Sequence, residues 1–382
     1  MLSTLLGTRL TLWIGPGVPI PAPLPIIEAL RAVEVTQVSI GRDGFQLTFT
    51  LARGSFDIVD YSLLANPLLR PFSRVIIQVW SGPVPQVLID GVITHHQITP
   101  EDKGSGATLT VTGEDLRLLM DLREIPMIYP QMTPEARVLL ILAKYSLLLG
   151  AAPIVIPLLI PDVPLLTDRI PTQAGTDLAY IQRLADDHGY VFYLEPTPVP
   201  MVNLAYWGPE NRLSIPQPAL SVNLGPQTNV SSLDFRYDAL QPETVLGIIQ
   251  ERHTRAPLPV ITLTSLKPPL ALAPATVIQA PYVRSVQSQG YSKLDAPQAF
   301  VRAQALTDRS ADAVTAEGEL DTLRYGSILR ARRTVGVRGA GALLDGFYYV
   351  SKVTHKIETG AYTQRFTLAR EGLGALSPLV MP

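Results

Sequence analysis

The sequence has no cysteine among its 382 residues, and this absence excludes disulfide bonds, thiolate zinc sites and cysteine nucleophiles. Charged residues are scarce, at 17% of the chain, and the formal net charge of -2 supplies no overall attraction to a polyanion. Apolar residues reach 47%, and proline occurs 35 times, nearly double its usual share of about 5%. This composition predicts short strands, extended connections and large subunit-facing surfaces, and it does not predict nucleic-acid binding.

The sequence also lacks a segment suited to crossing a membrane or directing secretion. The uncharged apolar stretch from Tyr145 to Pro161 is interrupted by Pro153 and Pro157, and each proline would cost a helix about 3 kcal/mol. Residues 1–14 contain one arginine and no apolar run that ends in a small-residue cleavage site. We therefore expect neither a membrane span nor a secretory signal. The apolar stretch fits core filler beneath a loop, or a strip that packs on a neighbouring subunit.

An internal repeat is the most informative feature that is present. In each copy a Leu-Arg pair opens an alternating stretch that leads to an Asp-Gly pair, and further alternating stretches follow. The arginine precedes the aspartate by 20 positions in the first copy and by 21 in the second. The residues that mark this structural repeat are Arg70, Asp90, Gly91, Arg324, Asp345 and Gly346. The repeat predicts two similar β-modules in one chain, so that a trimer would present six of them.

The pattern of apolar residues divides the chain into β-rich ends and a mixed middle. Period-two alternation flanks the Arg42-Asp43-Gly44 turn and returns over residues 347–358 and 362–371, which predicts half-buried strands. Thr133-Pro134 and Thr176-Asp177 are typical of helix starts, and a strand hairpin follows the second helix.

These patterns predict an α+β, mainly β fold with an inserted helix-plus-hairpin domain. The expected divisions are a first β-barrel module at residues 1–125, completed by about residues 225–245, an inserted α+β domain at 126–224, and a second β-barrel module at 246–382 with a helix at 295–309.

No arrangement of histidines or carboxylates in the sequence matches a catalytic or metal-binding pattern. The histidines are His95, His96, His188, His253 and His355. They do not form a His-Glu-x-x-His motif, and two adjacent histidines on a strand point to opposite faces. Phosphate loops, nucleophile elbows and dinucleotide fingerprints are absent as well. We therefore predict that the protein is not an enzyme and has no catalytic residue, no cofactor and no metal site.

Two charged groups leave alternatives open. Glu317, Glu319 and Asp321 alternate along one strand face, which fits a solvated surface or the lining of a channel. A basic cluster comprises Arg330, Arg332, Arg333 and Arg338. This cluster fits a phosphate contact or, better, salt bridges between subunits.

Five passages resemble a known family. Residues 177–193, with Asp-Leu-Ala-Tyr-Ile-Gln-Arg-Leu-Ala-Asp-Asp-His-Gly-Tyr-Val-Phe-Tyr, resemble the helix-to-strand passage of phage late control protein D and of VgrG spike proteins. Residues 345–350, with Asp-Gly-Phe-Tyr-Tyr-Val, and the closing stretch at 362–371 resemble the last barrel strands of the same families. Residues 90–94 and 109–115 resemble their first barrel.

The resemblance implies two tube-protein-like antiparallel β-barrels per subunit and a structural role as the baseplate hub of a contractile phage tail or related injection system. Such a hub is a homotrimer with a pseudo-sixfold ring that joins the hexameric inner tube to the trimeric central spike. The expected partners are the inner tube protein, a separate central spike protein and other baseplate subunits, with nucleic acid only passing through the channel. We expect assembly in the cytoplasm of the producing cell and a final location in the tail baseplate. Because the chain ends at Pro382, we expect the spike to be a separate protein.

Two alternative functions stay open. A tail-tip hydrolase would act on cell-wall glycan through a pair of carboxylates. A tail tube or adaptor protein would carry one barrel per chain, whereas the repeat indicates two.

Overall fold

The computed structural model describes residues 8–52, 63, 66–81, 84–100, 106–164, 170–250, 255–287 and 294–376. The described strands are β1 (Thr8–Gly15), β2 (Ile20–Pro21), β3 (Leu30–Val38), β4 (Gly44–Ala52), β5 (Arg74–Ser81), β6 (Pro85–Pro100), β7 (Gly106–Asp115), β8 (Met127–Ile128), β9 (Ile154–Val155), β10 (Thr172–Gln173), β11 (Val191–Pro196), β12 (Asn203–Gly208), β13 (Gln217–Ser221), β14 (Ser232–Tyr237), β15 (Glu243–Gln250), β16 (Pro257–Ile261), β17 (Ala271–Pro274), β18 (Arg284–Val286), β19 (Val314–Asp321), β20 (Thr334–Arg338), β21 (Gly346–Glu358), β22 (Ala361–Arg370) and β23 (Gly372–Ala375). The described helices are α1 (Leu24–Ala29), α2 (Pro134–Ala143), α3 (Ser146–Leu149), α4 (Asp177–Asp187), α5 (Ala275–Ile278), α6 (Ala296–Ser310) and α7 (Thr322–Tyr325). The α+β, mainly β class predicted from the sequence is confirmed.

Thirteen of the described strands form one sheet, and its two halves share one order of pairing. The first half runs β3–β4–β7–β6–β5–β1, with β2 beyond it, and the second runs β14–β19–β22–β21–β20–β13. The halves differ at the end, where β1 is antiparallel to β5 but β13 is parallel to β20. Residues 225–245, which we expected to complete the first module, instead supply β14 to the second half, because its partner in the sheet is β19.

Strand β21 joins the two halves, because one of its edges pairs first with β20 and then with β3. Residues Gly346–Tyr349 pair with β20, whereas Lys352–Glu358 pair with Ala32–Val38 of β3. The other edge of β21 pairs with β22 from Tyr349 to Glu358. The sheet therefore continues from one half into the other.

The two halves also share an unusual backbone turn. Phe72 and Arg332, just before β5 and β20, both have a φ of 64°, a left-handed conformation that is uncommon for residues with a side chain. The Phe72 amide donates to the Ile93 carbonyl at 2.9 Å, and the Arg332 amide donates to the Val350 carbonyl at 2.8 Å. This register makes Phe72 the counterpart of Arg332, and Ile93 the counterpart of Val350.

A bulge follows at the same place in both halves. The register of β6 shifts at Thr94, and the register of β21 shifts at Ser351. The Thr94 hydroxyl donates to the Thr112 carbonyl at 3.2 Å, and the Ser351 hydroxyl donates to the Thr367 carbonyl at 3.0 Å. A bulge increases local twist. Just beyond it, one edge of β21 leaves β20 and pairs with β3, and the matching edge of β6 leaves β5.

The alternation that predicted the strands decides which face of the sheet is buried. Every second side chain points to an apolar core, and the residues between them point away from it. In the first half this core includes Val33, Val35, Phe45, Leu47 and Phe49. In the second half it includes Val314, Leu320, Val353, Phe366 and Leu368.

Two smaller units interrupt the main sheet. The first lies between β7 and β13, contains α2 and α4, and has its own core around Ile181 and Trp207. The second lies between β14 and β19 and packs α6 on β15 through Ala299, Ala303 and Val245. The helix expected at residues 295–309 is present as α6, and it belongs to this second unit.

Capping explains where two of the helices begin. The Thr133 hydroxyl accepts the amide of Ala136 at 3.4 Å, and the Thr176 hydroxyl accepts the amide of Ala179 at 3.2 Å. These contacts satisfy amides that have no partner within the first turn of a helix. α4 ends before Gly189, whose φ of 67° suits the left-handed position after a helix.

Candidate functional site: the polar face and open edges of the main sheet

The described residues contain no group of three or more histidines, aspartates or glutamates placed to hold a metal ion. His95 and His96 are exposed on β6, His188 and His355 are largely or fully buried, and His253 lies outside the described residues. Within the described ranges, no helix has both the length and the apolar character needed to traverse a bilayer.

The adjacent carboxylates Asp186 and Asp187 form ion pairs with arginines. Asp186 pairs with Arg309 at 2.6 Å, and Asp187 pairs with Arg302 at 2.7 Å. Burial, as the larger effect, raises the pKa of Asp186 even though Arg309 lowers it. These pairs fasten α4 to α6, so they hold two elements together.

The face of the main sheet opposite the apolar core is polar and rich in threonine. Its threonines include Thr36, Thr48, Thr110, Thr112, Thr354 and Thr367, which lie on neighbouring strands and pair directly with residues of the same face. The hydroxyl oxygen atoms of Thr36 and Thr354 are 3.1 Å apart across the junction of the two halves. This face therefore continues from one half to the other through Thr36 and Thr354.

Charges of both signs are spread over this polar face. Glu317 and Glu319 on β19 lie here, as the alternation predicted, and Glu319 pairs with Arg365 at 3.0 Å. The two side chains are 36% and 78% exposed, so the pair is a solvated one. Asp321 caps α7 by accepting the Leu323 amide at 2.8 Å. Such a face suits contact with water.

The main sheet has an open edge at the far end of β6. Residues 85–92 of β6 pair with β5 on one edge, and residues 91–100 pair with β7 on the other. Beyond the bulge at Thr94, no strand of the described part of the chain pairs with the edge that β5 has left. Residues His95–Pro100 are accordingly exposed, including Ile98 at 44%.

A second open edge lies on β14. Its residues Ser232–Tyr237 pair with β19 on one side, and no described strand pairs with the other side. Leu233 and Phe235 are half-buried, and Tyr237 is 39% exposed. Unpaired edges of this kind are templates for pairing with another chain.

Buried ionic contacts hold the two halves in one relative position. The Arg332 guanidinium donates to the Asp43 carboxylate at 2.5 Å and to the Val38 carbonyl at 2.8 Å. Its carbon Cζ also lies 4.4 Å from the centre of the Tyr193 ring. Burial lowers the pKa of Arg332, but the Asp43 carboxylate outweighs this effect and the pKa is raised. Arg332 thus connects the second half to the first half and to the inserted unit.

The rest of the basic cluster also makes contacts within the chain. Arg330 donates to the Val87 carbonyl at 2.9 Å, and burial lowers its pKa. Arg333 pairs with Glu195 at 2.9 Å, and Arg338 donates to the Ser221 hydroxyl at 2.7 Å. The cluster predicted to face another subunit therefore faces other parts of the same chain.

The residues proposed to mark the repeat lie in different surroundings. Asp90 accepts from Nε of Arg74 at 2.7 Å, from Nη2 of Arg74 at 2.6 Å and from the side-chain amide of Asn203 at 2.8 Å. Asp345 caps a turn by accepting the Ala340 amide at 2.7 Å. The motif arginines, Arg70 and Arg324, are both exposed. The motif glycines differ: a Cβ added to Gly91 would lie 2.3 Å from the Glu114 carbonyl oxygen, whereas Gly346 has a φ of 126°.

His355 occupies a buried network at the junction of the two halves. Gln37 Oε1 can only accept, so His355 Nε2 donates to it at 3.4 Å, and Nδ1 accepts from Tyr362 at 2.9 Å and from Gln364 at 3.1 Å. The ring is neutral in this arrangement. Desolvation, with a smaller contribution from Arg330, lowers the pKa of His355 to about 3.

The stability of the fold should therefore fall with acidification through the titration of His355. The unfolded chain binds a proton at His355 below a pKa of about 6.5, whereas the folded chain does not until about pH 3, so the contribution is present above pH 6.5 and lost below it. Between pH 7.5 and pH 5 the expected loss is about 2 kcal/mol. Urea unfolding at fixed protein concentration would measure it, and His355→Gln should flatten the dependence. A variant that keeps the full dependence would contradict this assignment.

Comparisons with known proteins identify the class of fold. No family model matches the chain, and no curated protein matches it. Among solved structures, a tail protein from Neisseria meningitidis superposes with a TM-score of 0.61 at 15% identity, covering 96% of this chain and 98% of that one. The 43 kDa tail protein of prophage MuSo2 from Shewanella oneidensis gives a TM-score of 0.64 at 14% identity, covering 95% and 98%.

A third similar structure comes from a secretion system. It is an E. coli component of the type VI secretion system described as structurally similar to T4 bacteriophage tail proteins, with a TM-score of 0.55 at 13% identity over 92% of this chain and 77% of that one. The chain therefore has the fold of phage tail proteins and of this type VI component, as the sequence resemblance predicted.

Proposed function

We propose that this protein is the structural hub of a contractile tail or related injection system. In this role three copies form a ring with pseudo-sixfold symmetry that joins a hexameric inner tube to a trimeric central spike. The observation that carries the proposal is the main sheet, in which two sets of strands with one pairing order are joined edge to edge by β21 and β3. A subunit with two like modules can match six tube subunits with three copies.

The surfaces of the described residues support a role based on assembly. The polar face carries threonines and mixed charges, so it suits the wall of a water-filled passage without a strong attraction to a polyanion. The ion pairs among the described arginines and carboxylates connect elements of the fold. These features favour a structural hub over a tail-tip hydrolase. The two sets of strands favour it over a tube protein with one barrel per chain.

Mass measurement in solution tests this proposal. At high protein concentration, native mass spectrometry and light scattering should give three times the 41.6 kDa of one chain. The trimer should bind both the inner tube protein and the spike protein of the same particle. A protein that remains monomeric and binds neither would overturn the proposal.

A further inference from the structure

We propose that neighbouring copies are joined by strand pairing, with the open edge of β6 in one copy against the open edge of β14 in the next. This inference rests on the proposed function for the number of copies. It goes further by naming the two surfaces, the direction of the strands and the residues that face each other. The partner is a second copy of this chain.

The junction within each chain is the template for this contact. Beyond its bulge, β21 pairs antiparallel with β3 through residues 352–358. Strand β6 has β7 on one edge, and β21 has β22 on the matching edge. Both strands also have a bulge at the same place, so β6 is the counterpart of β21. Strand β3 pairs with β4, and β14 pairs with β19 at the same place in the order of the second half, so β14 is the counterpart of β3. Among the described strands, the far end of β6 and the whole of β14 each have one unpaired edge, and these strands are the counterparts of β21 and β3, which join the halves.

The hydrogen-bond register predicts which residues meet. Val350 corresponds to Ile93, so Thr354 corresponds to Gln97 and Lys356 to Thr99. The cross-strand partners in β4 and β19 make Glu34 correspond to Asp234 and Thr36 to Arg236. Since Thr354 faces Thr36 and Lys356 faces Glu34 within the chain, Gln97 should face Arg236 of the next copy and Thr99 should face Asp234.

The side chains at these edges fit the proposed pairing. In the same register Ile98 faces Phe235, with Leu233 and Tyr237 beside them on the apolar side. Ile98 and Tyr237 are 44% and 39% exposed in the single chain, whereas their counterparts His355 and Gln37 are 0% and 5% exposed at the junction. Pairing would remove these apolar surfaces from water, which is favourable. The Gln279 amide holds the Tyr237 hydroxyl at 2.6 Å and fixes its ring near this edge.

The arrangement of the edges favours a closed ring. Each copy offers one β6 edge and one different β14 edge, so the contact is head to tail and each added copy leaves the same pair of edges free. Such a contact ends only when the last β14 edge meets the first β6 edge. Closure would leave no unpaired edge at these positions, which removes a template for aggregation.

Paired cysteines can test the register, because the natural chain has none. The Ser39 amide donates to the Ser351 carbonyl at 2.8 Å, which places Thr36 and Thr354 at a non-hydrogen-bonded pair, where side chains come closest. Gln97→Cys combined with Arg236→Cys is the matching pair between copies. Mild oxidation should give covalent dimers and trimers on a non-reducing gel.

The matched control shifts the register by two residues. Gln97→Cys with Asp234→Cys places the two sulfur-bearing carbons at a diagonal spacing of about 7–8 Å, so it should cross-link at least about fivefold more slowly. The oligomeric state of each variant is also measured by native mass spectrometry under reducing conditions. A trimer that does not cross-link, or that cross-links equally with the shifted pair, would overturn the edge pairing while leaving the hub proposal intact. A monomer would overturn the hub proposal and the pairing together.

Discussion

Replacing Arg332 with alanine should lower the free energy of unfolding by about 3–5 kcal/mol, because it leaves the buried Asp43 carboxylate without its cationic partner. The Asp43 and Arg332 side chains are only 3% and 5% exposed. The variant also loses two hydrogen bonds to the Val38 carbonyl. Urea unfolding followed by circular dichroism would measure the loss.

A neighbouring arginine provides the control for this prediction. Arg333→Ala removes an ion pair with Glu195 in which Arg333 is 43% exposed, so the expected loss is at most about 1 kcal/mol. Combining Arg332→Met with Asp43→Asn should recover part of the larger loss, because no charge is then left buried without a partner. Equal effects of Arg332→Ala and Arg333→Ala would show that Arg332 does not hold the halves together.

Local patterns in the sequence predicted most of the strands and helices. Alternation around the Arg42-Asp43-Gly44 turn predicted β3 and β4, and alternation near the end of the chain predicted β21 and β22. Threonine caps placed the starts of α2 and α4. These signals succeed because each depends on residues that are close together in the chain.

Contacts between distant residues could not be predicted in the same way. Strand β20 begins only at Thr334, because Arg332 adopts a left-handed conformation and turns its side chain toward Asp43. That contact spans 289 positions of the chain. A basic cluster at the end of a short connection is typical of a solvent-facing surface, and only the fold shows that Arg330 and Arg332 are turned inward.

The correspondence between the repeats is also a property of strand pairing. The matching hydrogen bonds of Phe72 and Arg332 make Arg330 the counterpart of Arg70, six residues from Arg324 in the sequence motif. Insertions of different length in the two halves shift the alignment from strand to strand. The two halves therefore share their order of strand pairing, whereas the residues of the sequence motif do not occupy equivalent positions in them.

Replacing Asp90 with alanine should lower the free energy of unfolding by about 3–5 kcal/mol, because Arg74 would be left buried and charged. The side chains of Arg74 and Asp90 are 10% and 1% exposed, and the Asn203 amide loses an acceptor as well. The hydrogen bond between Asn203 and Asp90 links the inserted unit to the main sheet, so limited proteolysis should also cut the variant faster within residues 126–208.

Asp345→Ala is the matched control, because Asp345 has the same place in the sequence motif but a different role in the fold. Its side chain caps the Ala340 amide, and losing that hydrogen bond should cost about 1 kcal/mol. The two variants thus separate the motif from its surroundings. A shared role of the Asp-Gly pair in both halves would produce equal losses, whereas the contacts of Asp90 with Arg74 and Asn203 require a several-fold larger loss in the first half.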